Sequence, residues 1–180
     1  MQKKLLLLDL DLTLIFAWGY EPEWDFDFIL NGYWVKKRPH LDEFLNYSFN
    51  NFSVGIYTGK NEKQAHDTVE KLGIKKSKLV CLKSGEGLET NYRCEWPTPI
   101  KDLSFTKKKG YELSDVLIVD DNKDGLAKNP DNLIKIEPFY TDSSDRELVK
   151  LMEYLDTIKN APDVRTIDTP PPPPPIQALL

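Results

Sequence analysis

Leu5-Leu6-Leu7-Leu8-Asp9-Leu10-Asp11-Leu12-Thr13 joins an uninterrupted apolar run to two aspartates spaced i, i+2. A strand without polar alternation is buried on both faces, as in a parallel sheet covered by helices. Carboxylates at the end of such a strand are costly unless they are paired or bind a cation. In extended chain, residues i and i+2 point the same way. Asp9 and Asp11 are therefore expected to face one point beyond the carboxyl end of a central strand, where open α/β sheets place their ligands. A generic Asp-x-Asp is as readily a pair of solvated acids. The buried strand before it and Thr13 after it favour a site for a hard cation such as Mg²⁺, or a division of labour in which one carboxylate attacks and the other moves protons.

The remaining chain repeats this strand-and-helix rhythm. Lys4–Asp9 reads as the first strand. Leu14–Arg38 is aromatic-rich with a turn at Asn31-Gly32, which predicts a hairpin or flap that emerges from the first strand and folds back. Pro39–Phe49 and Asn61–Leu72 carry helical apolar stripes, the second stopped by Gly73. Phe52–Tyr57, Leu79–Leu82, Val116–Val119 and Leu133–Ile136 read as further strands, with an irregular insertion over Lys83–Pro99. Ser144-x-x-Glu147 predicts a capping box opening a last helix that ends at Ile158. The expected fold is α/β, a three-layer Rossmann-like domain with a central parallel sheet, a flap after the first strand, a small insertion and no large cap. Residues 1–160 would form this domain and 161–180 a proline-rich tail.

Composition narrows the function. The 180 residues suit one domain with a real core, and the net charge of −5 disfavours a general nucleic-acid binder. The basic clusters Lys36-Lys37-Arg38, Lys75-Lys76 with Lys78, and Lys107-Lys108-Lys109 read as solvated surface, the first being of more interest because it borders the expected site. Cys81 and Cys94 are the only cysteines, which predicts free thiols in a reducing compartment. Asp9 and Asp11 interrupt the first apolar run too early for a signal peptide, and nothing has the length of a membrane span. These features predict a cytoplasmic protein, or a nuclear one in a eukaryote, rather than a secreted one. Pro170–Pro175 reads as a stiff solvated spacer or a weak interaction segment.

Three strands end in chemically capable groups: Asp9 and Asp11, Thr58-Gly59, and Asp120-Asp121. Each piece alone is weak, but parallel strands bring their ends to one rim. Together they predict a phosphoryl-transfer site. Asp9 would attack phosphorus and Asp11 would serve as general acid and then base. Asp9, the Asp11 backbone carbonyl and Asp121 would hold Mg²⁺, with Asp120 either a ligand or the partner of Lys101. The Thr58 hydroxyl and Gly59 amide would bind the phosphoryl oxygens, and Lys101 would neutralise charge in the transition state. Four carboxylates so close would raise one another's pKa values.

These residues resemble the haloacid dehalogenase superfamily, whose DxDx[TV] motif is Asp9-Leu10-Asp11-Leu12-Thr13, with Thr58, Lys101 and Asp120-Asp121 in its other motifs. Lys37-Arg38-Pro39-His40-Leu41-Asp42-Glu43-Phe44-Leu45, Tyr57-Thr58-Gly59, Ile100-Lys101-Asp102-Leu103-Ser104 and Ile118-Val119-Asp120-Asp121-Asn122 are similar to one branch. That branch comprises the phosphatases acting on the RNA polymerase II C-terminal domain and their NLI-interacting-factor-like relatives. Leu12 stands where the branch commonly has Glu. The resemblance implies a phosphoric monoester hydrolase with an open site, and hence a phosphoserine or phosphothreonine in an extended protein segment as substrate. The alternatives are a small-molecule or nucleic-acid phosphate, or a non-catalytic binding module, as in a mitochondrial import relative. Trp18, Trp24 and Trp34 either wall a substrate groove or make the hairpin's own small core. His40 reads as structural.

Overall fold

The computed structural model describes residues 2–92 and 97–166; Cys94 and Pro170–Pro175 lie outside the described residues. Its strands are β1 (Leu5–Leu8), β2 (Ile15–Trp18), β3 (Phe28–Leu30), β4 (Tyr33–Lys37), β5 (Ser53–Tyr57), β6 (Leu82–Lys83), β7 (Thr90–Asn91), β8 (Thr98–Pro99), β9 (Val116–Asp120) and β10 (Leu133–Lys135). The α-helices are α1 (Leu41–Asn51), α2 (Glu62–Lys71) and α3 (Glu147–Ile158). The central sheet runs β10-β9-β1-β5-β6, with every pair parallel. All four leucines of β1 are fully buried, at about 2 kcal/mol or more of transfer free energy each.

The pleat of β1 separates two cores. Leu6 and Leu8 pack with Phe44, Val69, Leu148 and Leu155 from the three α-helices. Leu5 and Leu7 face Leu103, Tyr111 and Leu126. That second face is covered by 3₁₀ turns over Leu103–Lys109 and Lys123–Leu126 rather than by α-helices. The segment between residues 100 and 126 has no apolar stripe of helical period, and short turns are the alternative that still closes the layer.

Several sequence expectations shift. The third strand, expected over Leu79–Leu82, pairs as β6 only at Leu82–Lys83, after a 3₁₀ turn at Lys76–Lys78. The Ser144 capping box does not form. The N–H of Glu147 donates to Asp145 Oδ1 at 3.0 Å, while the Ser144 hydroxyl donates to Asp142. The insertion contains the small antiparallel pair β7–β8. Asn61 caps α2 through the Gln64 N–H at 2.9 Å, and Gly73 follows with φ 72°, as expected of a helix stop.

Arg38 corrects the reading of its cluster as solvated surface. It is only 1% exposed. Its Nε and Nη2 donate to the two oxygens of Asp145 at 2.9 and 2.8 Å, Nη1 donates to the Thr13 carbonyl, and Nη2 also donates to the Glu137 carbonyl. A planar fork with its donors used in this way satisfies the desolvation cost that a lysine would leave unmet. His40 takes φ 64° at the start of α1.

The flap is the three-stranded sheet β2-β4-β3. Its register places Ala17 beside Val35 and Trp18 beside Trp34. One face, with Ile15, Ala17 and Val35, joins the α-helical core. The other carries Phe16, Trp18 and Trp34. Asn31 in the β3–β4 turn ties the flap to α2 by donating to Asp67 at 3.1 Å.

Candidate active site

Register sets the site. Leu8 of β1 lies beside Val119 of β9 and Ile56 of β5. The next residues along these strands are therefore neighbours at one rim: Asp9, Asp120 and Tyr57, with Thr58 one step further. Asp9 is fixed by its N–H, which donates to the Val119 carbonyl at 3.0 Å.

The carboxylates of Asp9, Asp120 and Asp121 offer oxygens within 4.8 Å of one another. Lys101 is buried between two of them and donates from Nζ to Asp9 Oδ1 and Asp120 Oδ2, both at 2.6 Å. Its backbone is pinned by the Gly125 carbonyl, 2.7 Å from the Lys101 N–H. Asp120 Oδ1 accepts the Asn122 N–H at 2.9 Å, and Thr13 donates to Asp121 at 3.4 Å. One ammonium against three carboxylates, two buried and Asp121 half-buried, leaves an excess of negative charge. Burial, and then the charge of Asp9, pushes the Asp120 carboxyl up to about 7 and Asp121 up to about 6. Burial opposes the charge on Lys101, but Asp9 and Asp120 outweigh it and raise its pKa. A compact set of hard oxygen donors with surplus negative charge fits a divalent cation such as Mg²⁺.

Asp11 stands apart from this cluster. Its carboxylate pairs with Lys60 at 2.7 Å rather than joining the compact three, although the charge of Asp9 still pushes its pKa up. Burial raises the Asp11 carboxyl above the ordinary range, opposed by Lys60, although part of the side chain reaches solvent. A raised, accessible carboxyl beside a metal-capable cluster is suited to carry a proton. Thr58 is fully buried, and its hydroxyl accepts the Lys60 N–H at 3.3 Å.

Sequence reasoning missed two contributors. Lys60 follows directly on Thr58-Gly59, and its position two residues past a strand-end threonine was the available signal. Gly85 packs against that same loop. Its N–H donates to the Lys60 carbonyl at 2.7 Å, and a Cβ at this position would fall 2.3 Å from the Gly59 carbonyl oxygen.

A cavity of about 320 Å³ opens beside Asp11 and Gly59, between the flap and α2. Ile15, Ala17, Leu30, Tyr33 and Val35 line it from the flap, and Lys60, Gln64 and Thr68 from the other side. No helix among the described residues is long and apolar enough to cross a membrane.

Residues 4–165 match the model of the NLI interacting factor-like phosphatase family. The chain is 30% identical over 173 residues to the human CTD small phosphatase-like protein, covering 90% of this chain and 58% of the relative. It is likewise 30% identical over 182 residues to the CTD phosphatase-like protein 355R of invertebrate iridescent virus 3, covering 88% of this chain and 98% of the viral one. The fold matches that of the fission yeast RNA polymerase II CTD phosphatase Fcp1 with a TM-score of 0.53 at 19% identity, over 87% of this chain and 50% of that one.

Proposed function

Because the chain belongs to the NLI interacting factor-like phosphatase family, we propose that it is a Mg²⁺-dependent phosphatase of phosphoserine and phosphothreonine in proteins, working through an aspartyl-phosphate on Asp9. The observation that carries this reading is the convergence of Asp9, Lys101, Asp120 and Asp121 at the rim that Thr58 and Asp11 flank. In this reading residues 1–160 form the catalytic unit and 161–180 a tail, with Val164 still packed in the core.

Asp9 Oδ1 is held by Lys101, while Oδ2 makes no hydrogen bond among the described residues. A carboxylate oxygen of Asp9 attacks phosphorus, and the bond to the ester oxygen breaks. The leaving alkoxide takes the proton of the Asp11 carboxyl. Asp11, now a carboxylate, removes a proton from water; the hydroxide attacks the phosphoryl group, and the Asp9 carboxylate departs. Lys101 offsets charge that develops on the equatorial oxygens, and the Thr58 hydroxyl with the Gly59 amide orients them. Asp9 and Asp121, with the Asp11 backbone carbonyl, would hold Mg²⁺, with Asp120 serving chiefly as the anchor of Lys101. When bound, the ion neutralises carboxylates and phosphoryl oxygens, so that two anions can meet.

The cavity between the flap and α2 supports an extended peptide as substrate, because it begins at the phosphoryl site and offers apolar walls to neighbouring side chains. The test is turnover of an aryl phosphate and of a panel of phosphopeptides, sugar phosphates and nucleotides. The expected result is Mg²⁺-dependent hydrolysis, lost in Asp9→Asn, with the highest kcat/KM for phosphopeptides. Undiminished turnover by Asp9→Asn would overturn the nucleophile, and preference for a metabolite would overturn the substrate class.

A further inference from the structure

The outer face of the flap, turned away from the catalytic cavity, carries a strip of aromatic rings in contact. Tyr140 lies 5.9 Å from Phe16, Phe16 6.1 Å from Trp18, and Trp18 6.0 Å from Tyr20, between ring centroids. Trp24 flanks Phe16 at 5.7 Å. The strip is not sealed: Trp18 is 46% exposed, Tyr20 75% and Tyr140 58%. A hairpin that needed these rings only for its own core would cover them. Its core is instead on the opposite face, where Ala17 and Val35 pack against the domain. Side chains that alternate along β2 thus serve two separate surfaces.

Beyond Tyr20 the chain bears Glu21, Glu23 and Asp25, all exposed. None of the three makes an ion pair or hydrogen bond among the described residues. This combination selects an occupant. Nucleobases and anionic lipids would also meet aromatic rings, but these acids repel their phosphates. A polyproline II helix has three residues per turn and no internal hydrogen bonds, so its proline rings stand outward for contact with aromatic side chains. Its preformed backbone loses little entropy on docking to an aromatic surface. The acids then fit basic residues beside the prolines.

We propose that the strip Tyr140–Phe16–Trp18–Tyr20 is a docking surface for a proline-rich segment of a partner protein, with lysine or arginine next to the prolines. The surface is independent of the hydrolytic reading, because none of its rings lies among the phosphoryl-transfer groups.

The probe is a synthetic peptide of eight prolines with two arginines at each end, titrated calorimetrically into the full chain. Saturable binding at about 10–500 μM is expected, weakened about fivefold or more by Trp18→Ala and by Tyr20→Ala. Glu21→Gln with Glu23→Gln and Asp25→Asn should weaken it further, and aryl phosphate turnover should be unchanged in Trp18→Ala. No binding at millimolar peptide overturns the proposal, as does binding that survives both aromatic substitutions. Equal binding of the peptide with glutamates in place of arginines overturns the basic character of the partner. Sedimentation of the full chain provides the remaining arm. Self-association lost in Trp18→Ala would assign the strip to a second copy or to Pro170–Pro175 and overturn the partner reading; a monomer at all concentrations supports it.

Discussion

Arg38 and Asp145, 107 residues apart, form a two-pronged ion pair in which Nε and Nη2 meet the two carboxylate oxygens at 2.9 and 2.8 Å. The pair joins the exit of the flap to the start of α3. Through Nη1 it also holds the carbonyl of Thr13, in the loop that follows Asp9 and Asp11. Arg38→Ala leaves Asp145 and two carbonyls without their donor, and an expected loss of about 3–5 kcal/mol follows. Arg38→Lys keeps the charge but not the fork, so it should also lower the unfolding midpoint. Urea titration of the two variants checks this, and equal stability of Arg38→Lys and wild type would remove the fork from the account.

A divalent ion and protons would compete for the carboxylate cluster. The ordinary Asp value is 3.8, whereas Asp120 stands at about 7 and Asp121 at about 6. Between about pH 4 and 7 the folded chain therefore binds more protons at these groups than the unfolded chain, and their contribution to metal-free stability falls as pH rises. Below about pH 4 both states are protonated, the contribution is fully present, and stability no longer changes with pH through these groups. Mg²⁺ requires the deprotonated groups, so its affinity rises through the same window. The difference in Tm between samples with Mg²⁺ and with chelator should widen steadily from pH 4.5 to 7.5. A pH-independent difference would place the ion elsewhere.

Lys60 restrains the proton affinity of Asp11. Its ammonium opposes the rise that burial imposes on the Asp11 carboxyl. In Lys60→Met that opposition is gone, the pKa climbs, and Asp11 stays protonated to higher pH. The alkaline limb of the kcat/KM profile should move upward, with reduced turnover at low pH, where the second step needs Asp11 as a base. A profile that drops uniformly without moving would assign Lys60 to binding alone.

Gly85 is expected to tolerate no side chain. An added Cβ would meet the Gly59 carbonyl oxygen at 2.3 Å, which is backbone and cannot swing aside. Gly85→Ala should cost about 1–3 kcal/mol of stability and displace the Thr58–Lys60 loop. Since small misplacements at a reacting centre can cost about 100-fold, kcat/KM should fall by at least about tenfold. Thermal unfolding and aryl phosphate turnover of the same preparation separate the two effects.

Much of this arrangement was legible because parallel strands announce their carboxyl ends. The leucine run, Thr58 after β5 and Asp120-Asp121 closing β9 each mark a strand end, and the shared rim follows from topology alone. Lys101 lies in an irregular segment that no periodicity marks, and it reads as a site residue only beside the three strand ends. Arg38 was hidden because burial of a charge depends on a partner more than a hundred residues away, which no local pattern contains. The Ser144 box had the right spacing, but Asp145 supplies a charged acceptor already held by Arg38, and that wins over a hydroxyl. The 3₁₀ turns over Leu103–Lys109 and Lys123–Leu126 are too short to leave a repeat in the sequence.

The two border strands of the main sheet, β6 and β10, have two and three residues, and each finishes on a lysine. Such brevity offers a foreign strand almost no ladder to extend, and the charge discourages what little remains. The main sheet therefore presents little edge for the stacking through which flat sheets seed fibrils.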